Sequence, residues 1–187
     1  MNLEDLNSEI KLCKKCSLYK TRINAVPGLG PSNAKIVLIG EAPGQFEDIK
    51  GEPFVGRAGA LLTEILNSVG IKRNEIFITN IVKCRPPGNR DPLLEEIKLC
   101  SPYLDKQLEI IKPKLIISLG RFSMYYLMEK FNLSKESITK AHGKLFTINT
   151  LFGSLKFMPT YHPAAALYNP NLKSFIFEDF KKIPQAL

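Results

Sequence analysis

Three short apolar runs constrain this chain most. They are residues 35–40 (KIVLIG), residues 76–82 (IFITNIV) and Leu115–Leu119 (LIISL), the last followed by Gly120. Runs that stay apolar without alternating read as strands buried on both faces, the habit of parallel sheets. Helical stripes lie between them. Leu61, Leu62, Ile65, Leu66 and Val69 recur at helical spacing, with Gly70 placed to cap their C-terminal end. Leu3, Leu6, Ile10 and Cys13 predict a short opening helix, and residues 121–131 read as another. Asp91 is expected to cap a helix with Pro92 in its first turn, which Pro102 either kinks or ends in favour of a new helix from Ser101. Residues 145–148 and 155–161 read as two further strands joined by a turn around Gly153. Asn171 is expected to cap a last helix carrying Leu172, Phe175, Ile176, Phe180 and Ile183. Strands interleaved with helices predict the α/β class, with a mostly parallel sheet covered on both faces. Ligands of such folds bind beyond the carboxyl ends of the strands, so the segments after Gly40, Asn80 and Tyr161 are the places to search.

A chain of 187 residues suits one domain, residues 1–187, with no repeat or long linker to divide it. An apolar share of 44% excludes a disordered chain, and no apolar run approaches the roughly 20 residues of a membrane span. The partly acidic N-terminus lacks the basic start and apolar stretch of a secretory signal, which predicts a cytoplasmic protein, or a nuclear one in a cell with a nucleus. Lys plus Arg outnumber Asp plus Glu by 26 to 18, and a surplus of +8 suits a polyanionic partner such as nucleic acid.

Without a secretory signal, four cysteines argue against a disulfide framework and leave a metal site, a redox site or buried thiols. Cys13 and Cys16 form a CxxC, which lets one turn present two thiolates to one centre. Cys84 and Cys100 follow at wide spacing, and Cys100 also falls on the apolar stripe of Leu93, Ile97, Leu104 and Leu108, where it could be a buried filler. Zinc and an iron–sulfur cluster both accept four thiolates, and the wide second pair leans toward the cluster. Lys14, Lys15, Lys20, Arg22, Arg85 and Arg90 are the nearby cations, available to a negative centre or to DNA phosphates.

The loop after the first strand carries Glu41, Glu47, Asp48 and the flat face of Phe54 on a path stiffened by glycine and proline. It matches neither GxGxxG nor GK[ST]. Asn80 sits in an otherwise apolar strand, where an unpaired amide costs about 1–3 kcal/mol. The stiff, basic loop 85–92 brings Asn89 to the same sheet edge. His162 follows the last strand, held extended by Pro163.

Together these segments resemble the family 4 uracil-DNA glycosylases, the iron–sulfur branch of their superfamily. The resemblance rests on GEAPGQFED at 40–48, GEPFVGRAG at 51–59, TNIVKCRPPGNRDP at 79–92, HPAAAL at 162–167 and the four-cysteine layout. It implies a three-layer α/β/α sandwich around a mostly parallel four-stranded sheet. It further implies a monomer acting on uracil-containing DNA in base excision repair, and a 4Fe–4S cluster on Cys13, Cys16, Cys84 and Cys100. These residues assign the chain no sliding-clamp or polymerase partner. The implied uracil pocket comprises Glu41, Ala42, Glu47, Phe54, Asn80 and His162. Phe54 stacks on a flipped base, Asn80 reads its N3–H and O4, Glu47 walls off the thymine methyl, and His162 donates to O2. Many superfamily members place an Asp where this chain has Ala42, so Glu41 and Asn89 are the candidates to position water. Arg57, Arg85 and Arg90 are candidate DNA contacts, and Leu167 and Tyr168 candidate wedges. Three other readings remain beside this one. They are a non-catalytic nucleic-acid module stapled by metal, a redox-signalling cluster protein, and a relative that bonds to the sugar through histidine; the last lacks its insertion here.

Overall fold

The computed structural model describes residues 1–150 and 153–186, except the side chains of Thr150, Gln185 and Ala186. Its centre is a sheet of five strands: β1 (Ile36–Gly40), β2 (Phe77–Asn80), β3 (Leu115–Leu119), β4 (Phe146–Thr150) and β5 (Gly153–Thr160), in the order β2-β1-β3-β5-β4. The pairs β1–β2, β1–β3 and β3–β5 are parallel, and the three apolar runs supply the strands buried along their whole length. The strand count corrects the four that the resemblance implied. The extra strand is β4, which pairs antiparallel with β5 as the outer arm of a hairpin and needs no crossover helix to reach the sheet edge. The expected turn around Gly153 falls partly on residues 151–152, outside the described residues.

Helices cover both faces. These are α1 (Leu3–Leu12), α2 (Gln45–Lys50), α3 (Arg57–Ser68), α4 (Leu94–Ile111), α5 (Arg121–Lys130), α6 (Ile138–Ala141), α7 (Pro163–Tyr168), α8 (Asn171–Phe180) and α9 (Ile183–Ala186). Successive strand residues point to opposite faces, and β1 shows the consequence. Leu38 joins Ile65, Leu66, Ile117, Ile176 and Phe180 in the core under α3 and α8. Its neighbours Val37 and Ile39 join Leu104, Met124, Leu127 and Phe157 under α4 and α5. Each fully buried aliphatic side chain contributes roughly 1.5–3 kcal/mol. A third, smaller core holds Leu6, Ile10, Leu18, Val82, Cys84, Cys100 and Tyr103 between α1 and α4. Among the described residues no helix is long and apolar enough to cross a membrane.

Several local expectations shift. Gly70 does close α3, in the left-handed conformation (φ 74°), with its N–H on Asn67 O and that of Ile71 on Leu66 O. Helix α4 starts two residues later than Pro92: Leu93 occupies the cap, and its N–H is taken by Glu96 Oε2 at 2.8 Å. Asp91 instead pairs with Arg121 at 2.7 Å. Pro102 lies inside α4, which continues through it without a new start at Ser101. Asn171 is the first residue of α8 rather than its cap; Asn169 Oδ1 accepts from its N–H at 3.2 Å. Ile183 belongs to α9.

The chain lays β2 on one side of β1 and returns to place β3 on the other. Such a reversal opens a crevice at the carboxyl ends of the two diverging strands. Glu41, after β1, and Gly120, after β3, stand at that crevice.

Candidate active site

A cavity of about 440 Å³ fills this crevice. Glu41, Ala42, Glu47, Phe54, Asn80, Asn89, Arg90, His162 and Tyr168 all line it. Sequence reasoning therefore brought together residues that lie up to 127 positions apart, from Glu41 to Tyr168.

Asn80 ends β2 opposite Gly40. A side chain at residue 40 would collide with Asn80 Oδ1 and the Phe54 ring, at 2.3 and 2.9 Å from an added Cβ, so Gly40 makes room for both. Asn80 is buried, and its Oδ1 has no hydrogen-bond partner. Of the three such atoms among the described residues, on Asn7, Asn80 and Ser118, it alone belongs to a residue lining this cavity. An acceptor left buried and unpaired costs about 1–3 kcal/mol until a donor arrives.

Phe54 is buried and lies near parallel to the His162 ring, with centroids 5.5 Å apart and planes at 27°. Glu47 accepts from the N–H groups of Val55 (3.1 Å) and Gly56 (3.3 Å), so its carboxylate is a fixed wall. His162 caps α7 by accepting at Nδ1 from Ala164 N–H at 3.1 Å. That bond assigns the proton of the neutral ring to Nε2. Desolvation pulls the His162 imidazole down to about 4, against a smaller opposing pull from Glu47, so the ring is neutral at physiological pH. Glu41 behaves in the opposite sense. Burial, with a lesser contribution from Asp91, pushes its carboxyl up to about 7 despite Arg121. Its main-chain carbonyl accepts from Val82 N–H at 3.0 Å, but among the described residues the Glu41 carboxylate makes no hydrogen bond or ion pair.

Other singled-out residues stand elsewhere or are already engaged. Asp48 does not face the crevice; it is buried and accepts from the N–H groups of Ile23 and Asn24 at 2.9 and 3.1 Å. Asn89 Oδ1 accepts from Arg85 Nε at 2.7 Å. Arg90 forms a two-point pair with Glu96, at 2.9 and 2.7 Å. Arg57 and Leu167 line a separate depression with Glu64 and Lys173. Tyr168 stands 90% exposed at the cavity, whereas Leu167 packs against the core.

The sequence reading did not single out Lys83. Its side chain is buried, and Nζ donates to Thr79 Oγ1 (2.6 Å), Asn80 O (2.7 Å) and Gln107 Oε1 (2.7 Å). All three acceptors are neutral, and burial pulls the ammonium down to about 7. A buried lysine one residue before a cysteine carries no periodic signal that would have found it.

The four cysteines are free thiols and line one enclosed space with Ile10, Arg22, Val82 and Tyr103. Arg22 Nη1 donates to Cys84 Sγ at 2.9 Å, and Lys83 N–H to Cys100 Sγ at 3.2 Å. Burial pushes the thiols of Cys16, Cys84 and Cys100 up, Cys100 to about 12, so a positive centre is needed to hold them as thiolates. Among the described residues no three His, Cys, Asp or Glu are disposed around a single metal ion. Four thiols around one space form a donor set that fits a thiolate-bound metal centre.

One strand-end cavity thus brings together an aromatic face, an orphaned amide oxygen and a neutral histidine. A sequence model of the uracil DNA glycosylase superfamily matches residues 27–186. The type-4 uracil-DNA glycosylase of Saccharolobus solfataricus is 54% identical over all of this chain and 87% of its own length. Those of Archaeoglobus fulgidus (49%; 97% of this chain, 92% of theirs) and Thermotoga maritima (42%; 96% and 92%) are also similar throughout. The chain belongs to the type-4 uracil-DNA glycosylase family.

Proposed function

We propose that this chain, residues 1–187 acting as one unit, hydrolyses the N-glycosidic bond of deoxyuridine in DNA, releasing uracil for base excision repair. The observation that carries the reading is Asn80 Oδ1, a buried acceptor without a donor at the floor of a cavity sized for a base. Uracil offers N3–H to that oxygen and O4 to the amide N–H. Cytosine offers the reverse pattern and leaves both unpaired, a mismatch that polar sites use for strong discrimination.

The base leaves the stack at a cost of a few kcal/mol and lies on the Phe54 ring. Glu47, fixed by two backbone N–H groups, closes the side where thymine carries its methyl group. As the bond from N1 to the sugar breaks, its electron pair passes onto uracil N1 and O2. The Nε2–H of His162 donates to O2 and stabilises that anion, which a neutral ring does without giving up its proton. Water adds to the electron-deficient sugar carbon and passes its proton to the Glu41 carboxylate, leaving an abasic site; the uracil anion takes up a proton from solvent and Glu41 returns its own to solvent. Glu41, unengaged and facing the cavity, holds that water better than Asn89, whose carbonyl already serves Arg85. Tyr168 is the better-placed wedge, since Leu167 is committed to packing.

Cys13, Cys16, Cys84 and Cys100 hold a 4Fe–4S cluster in this reading. When bound, the cluster supplies a covalent tie between the end of α1 and the segment from Cys84 to Cys100. Arg22 stabilises the thiolate charge on Cys84 through its hydrogen bond.

The test is base release. Purified protein in excess is incubated with oligonucleotides holding one uracil, thymine, cytosine or hypoxanthine, then treated with alkali. Cleavage at uracil, with cytosine and thymine strands intact, is expected. Intact uracil strands under single-turnover conditions overturn the reading.

A further inference from the structure

Phe54 carries the flat wall of the cavity on an unusual backbone. Its φ is +53°, in the left-handed region, which costs a residue with a side chain roughly 1–3 kcal/mol. Such a conformation persists only where its surroundings hold it. Here two opposite charges grip the same stretch of main chain. Glu47 takes the N–H groups of Val55 and Gly56. From the far side, Arg73 Nη2 donates to Pro53 O at 2.7 Å and to Phe54 O at 2.8 Å. Its Nη1 reaches Thr63 Oγ1 at 3.2 Å and Gly59 O at 3.5 Å. All four acceptors are neutral oxygens, so the guanidinium is placed for carbonyls and not for an ion pair. Gly59 completes the clamp: an added Cβ would lie 1.8 Å from Phe54 O, so only glycine lets α3 approach this peptide so closely.

We propose that Arg73 is a positioning residue for base release: by fixing the Pro53 and Phe54 carbonyls, it sets the plane on which the extruded base lies. Arg73 does not line the cavity, and it acts only through Phe54. The proposal rests on the reading of this cavity as the uracil pocket. Arginine suits the task because its planar fork spans two carbonyls on one nitrogen while the other is anchored on α3. A lysine ammonium has no second nitrogen with which to do both. Without the clamp, the Phe54 peptide is released toward ordinary negative φ and the ring turns with it. Displacements near 1 Å in such sites cost up to about a hundredfold in rate.

A double-mutant cycle tests this. Arg73→Gln, Arg73→Lys and Thr63→Val are each made alone and with Phe54→Ala. Single-turnover uracil release is measured at saturating protein, with thermal unfolding followed on every variant. Phe54→Ala alone is expected to slow release. With Phe54 present, Arg73→Gln is expected to slow it by about tenfold or more, Arg73→Lys to restore little, and Thr63→Val to cost less than either. In the Phe54→Ala background each second change is expected to cost less than about twofold, the scatter of independent effects. DNA affinity is expected to hold. An Arg73→Gln loss of the same size with and without Phe54 overturns the proposal, as does a loss that only tracks the fall in melting temperature. Unchanged release by Phe54→Ala alone would instead remove the pocket reading, and the proposal with it. Thr63→Val leaves the guanidinium in place, so the cycle can be read even if Arg73→Gln fails to fold.

Discussion

The Glu41 carboxyl offers a quantitative handle on the water-positioning step. Its burial and the nearby charge of Asp91 place it at about 7, with Arg121 pulling the other way. Only the ionised carboxylate accepts a proton from, or orients, the attacking water. The active fraction is then about half at the midpoint and roughly a tenth one pH unit below it. Single-turnover uracil release is therefore expected to fall about tenfold per unit on the acid side, with its bend near 7. The His162 imidazole, at about 4, titrates below this range and does not blur the limb. Glu41→Gln should lower the plateau and remove the limb. Asp91→Asn should move the limb to lower pH, because it deletes the repelling charge and frees Arg121 from its 2.7 Å partner. Arg121→Gln should move it higher. Stability has the opposite sign. An acid whose folded pKa exceeds its ordinary 4.5 stabilises the fold while protonated, and that contribution is lost as pH rises from about 4.5 through about 7. Glu41→Gln should thus raise the melting temperature most at the alkaline end of that window. A wild-type rate flat between about pH 5.5 and 8, or a limb that survives in Glu41→Gln, would refute the assignment.

His162→Asn should slow release by about a hundred- to a thousandfold, the usual cost of one preorganised donor, with DNA affinity kept; a loss confined to affinity would speak against a role at O2. Asn80→Ala removes the orphaned acceptor and should cost roughly 1–3 kcal/mol in uracil release while narrowing the ratio between uracil and cytosine substrates, both read in parallel single-turnover assays. Cys84→Ser should abolish the broad absorption near ~400 nm expected of a thiolate-ligated iron–sulfur centre and lower the melting temperature by more than it alters the rate of the protein that remains folded. Colourless wild-type protein containing zinc and no iron, after anaerobic iron-replete expression, would exclude the cluster.

The parts of this molecule that announce themselves in sequence are those with local causes. Strands β1, β2 and β3 are legible because burial on both faces demands unbroken apolar runs. Helix α3 is legible because its stripe ends on a glycine that supplies the left-handed cap. The edge strand β4 is legible too, as the run at residues 145–148 before the Gly153 turn; it is the four-stranded count implied by the resemblance that leaves it out. Local cues fail where a distant partner competes for a residue. Asp91 reads as a helix cap, but Arg121 claims it and Glu96 caps α4 instead. Asp48 reads as a crevice carboxylate, yet it serves the main chain of residues 23 and 24. Arg73 and Lys83 sit in unremarkable charged stretches, and their partners are mainly carbonyl and side-chain oxygens that no periodicity reveals.

A single distinction separates the groups that build the cavity from those that remain available to a substrate. Glu47, Asn89, Arg90 and Arg73 all carry charge or amide chemistry near the pocket, and each is already bonded to a protein partner. The Asn80 side-chain oxygen Oδ1, the Glu41 carboxylate and the Nε2–H of His162 are not. Leaving a buried polar group unpaired costs the folded protein stability, and the cost is recovered only when a complementary ligand supplies the missing partner. Of these three groups only Asn80 Oδ1 is buried without a partner; in the proposed reading Asn80 takes a donor, His162 an acceptor that gains charge, and Phe54 the flat ring between them. The bonded groups hold those three at fixed separations, so little reorganisation remains for the moment of reaction. Loosening a bonded group should therefore reduce rate through geometry, while deleting an unpaired one should reduce it through lost contact. Double-mutant cycles separate the two, because the first kind of loss vanishes once the group it positions is gone.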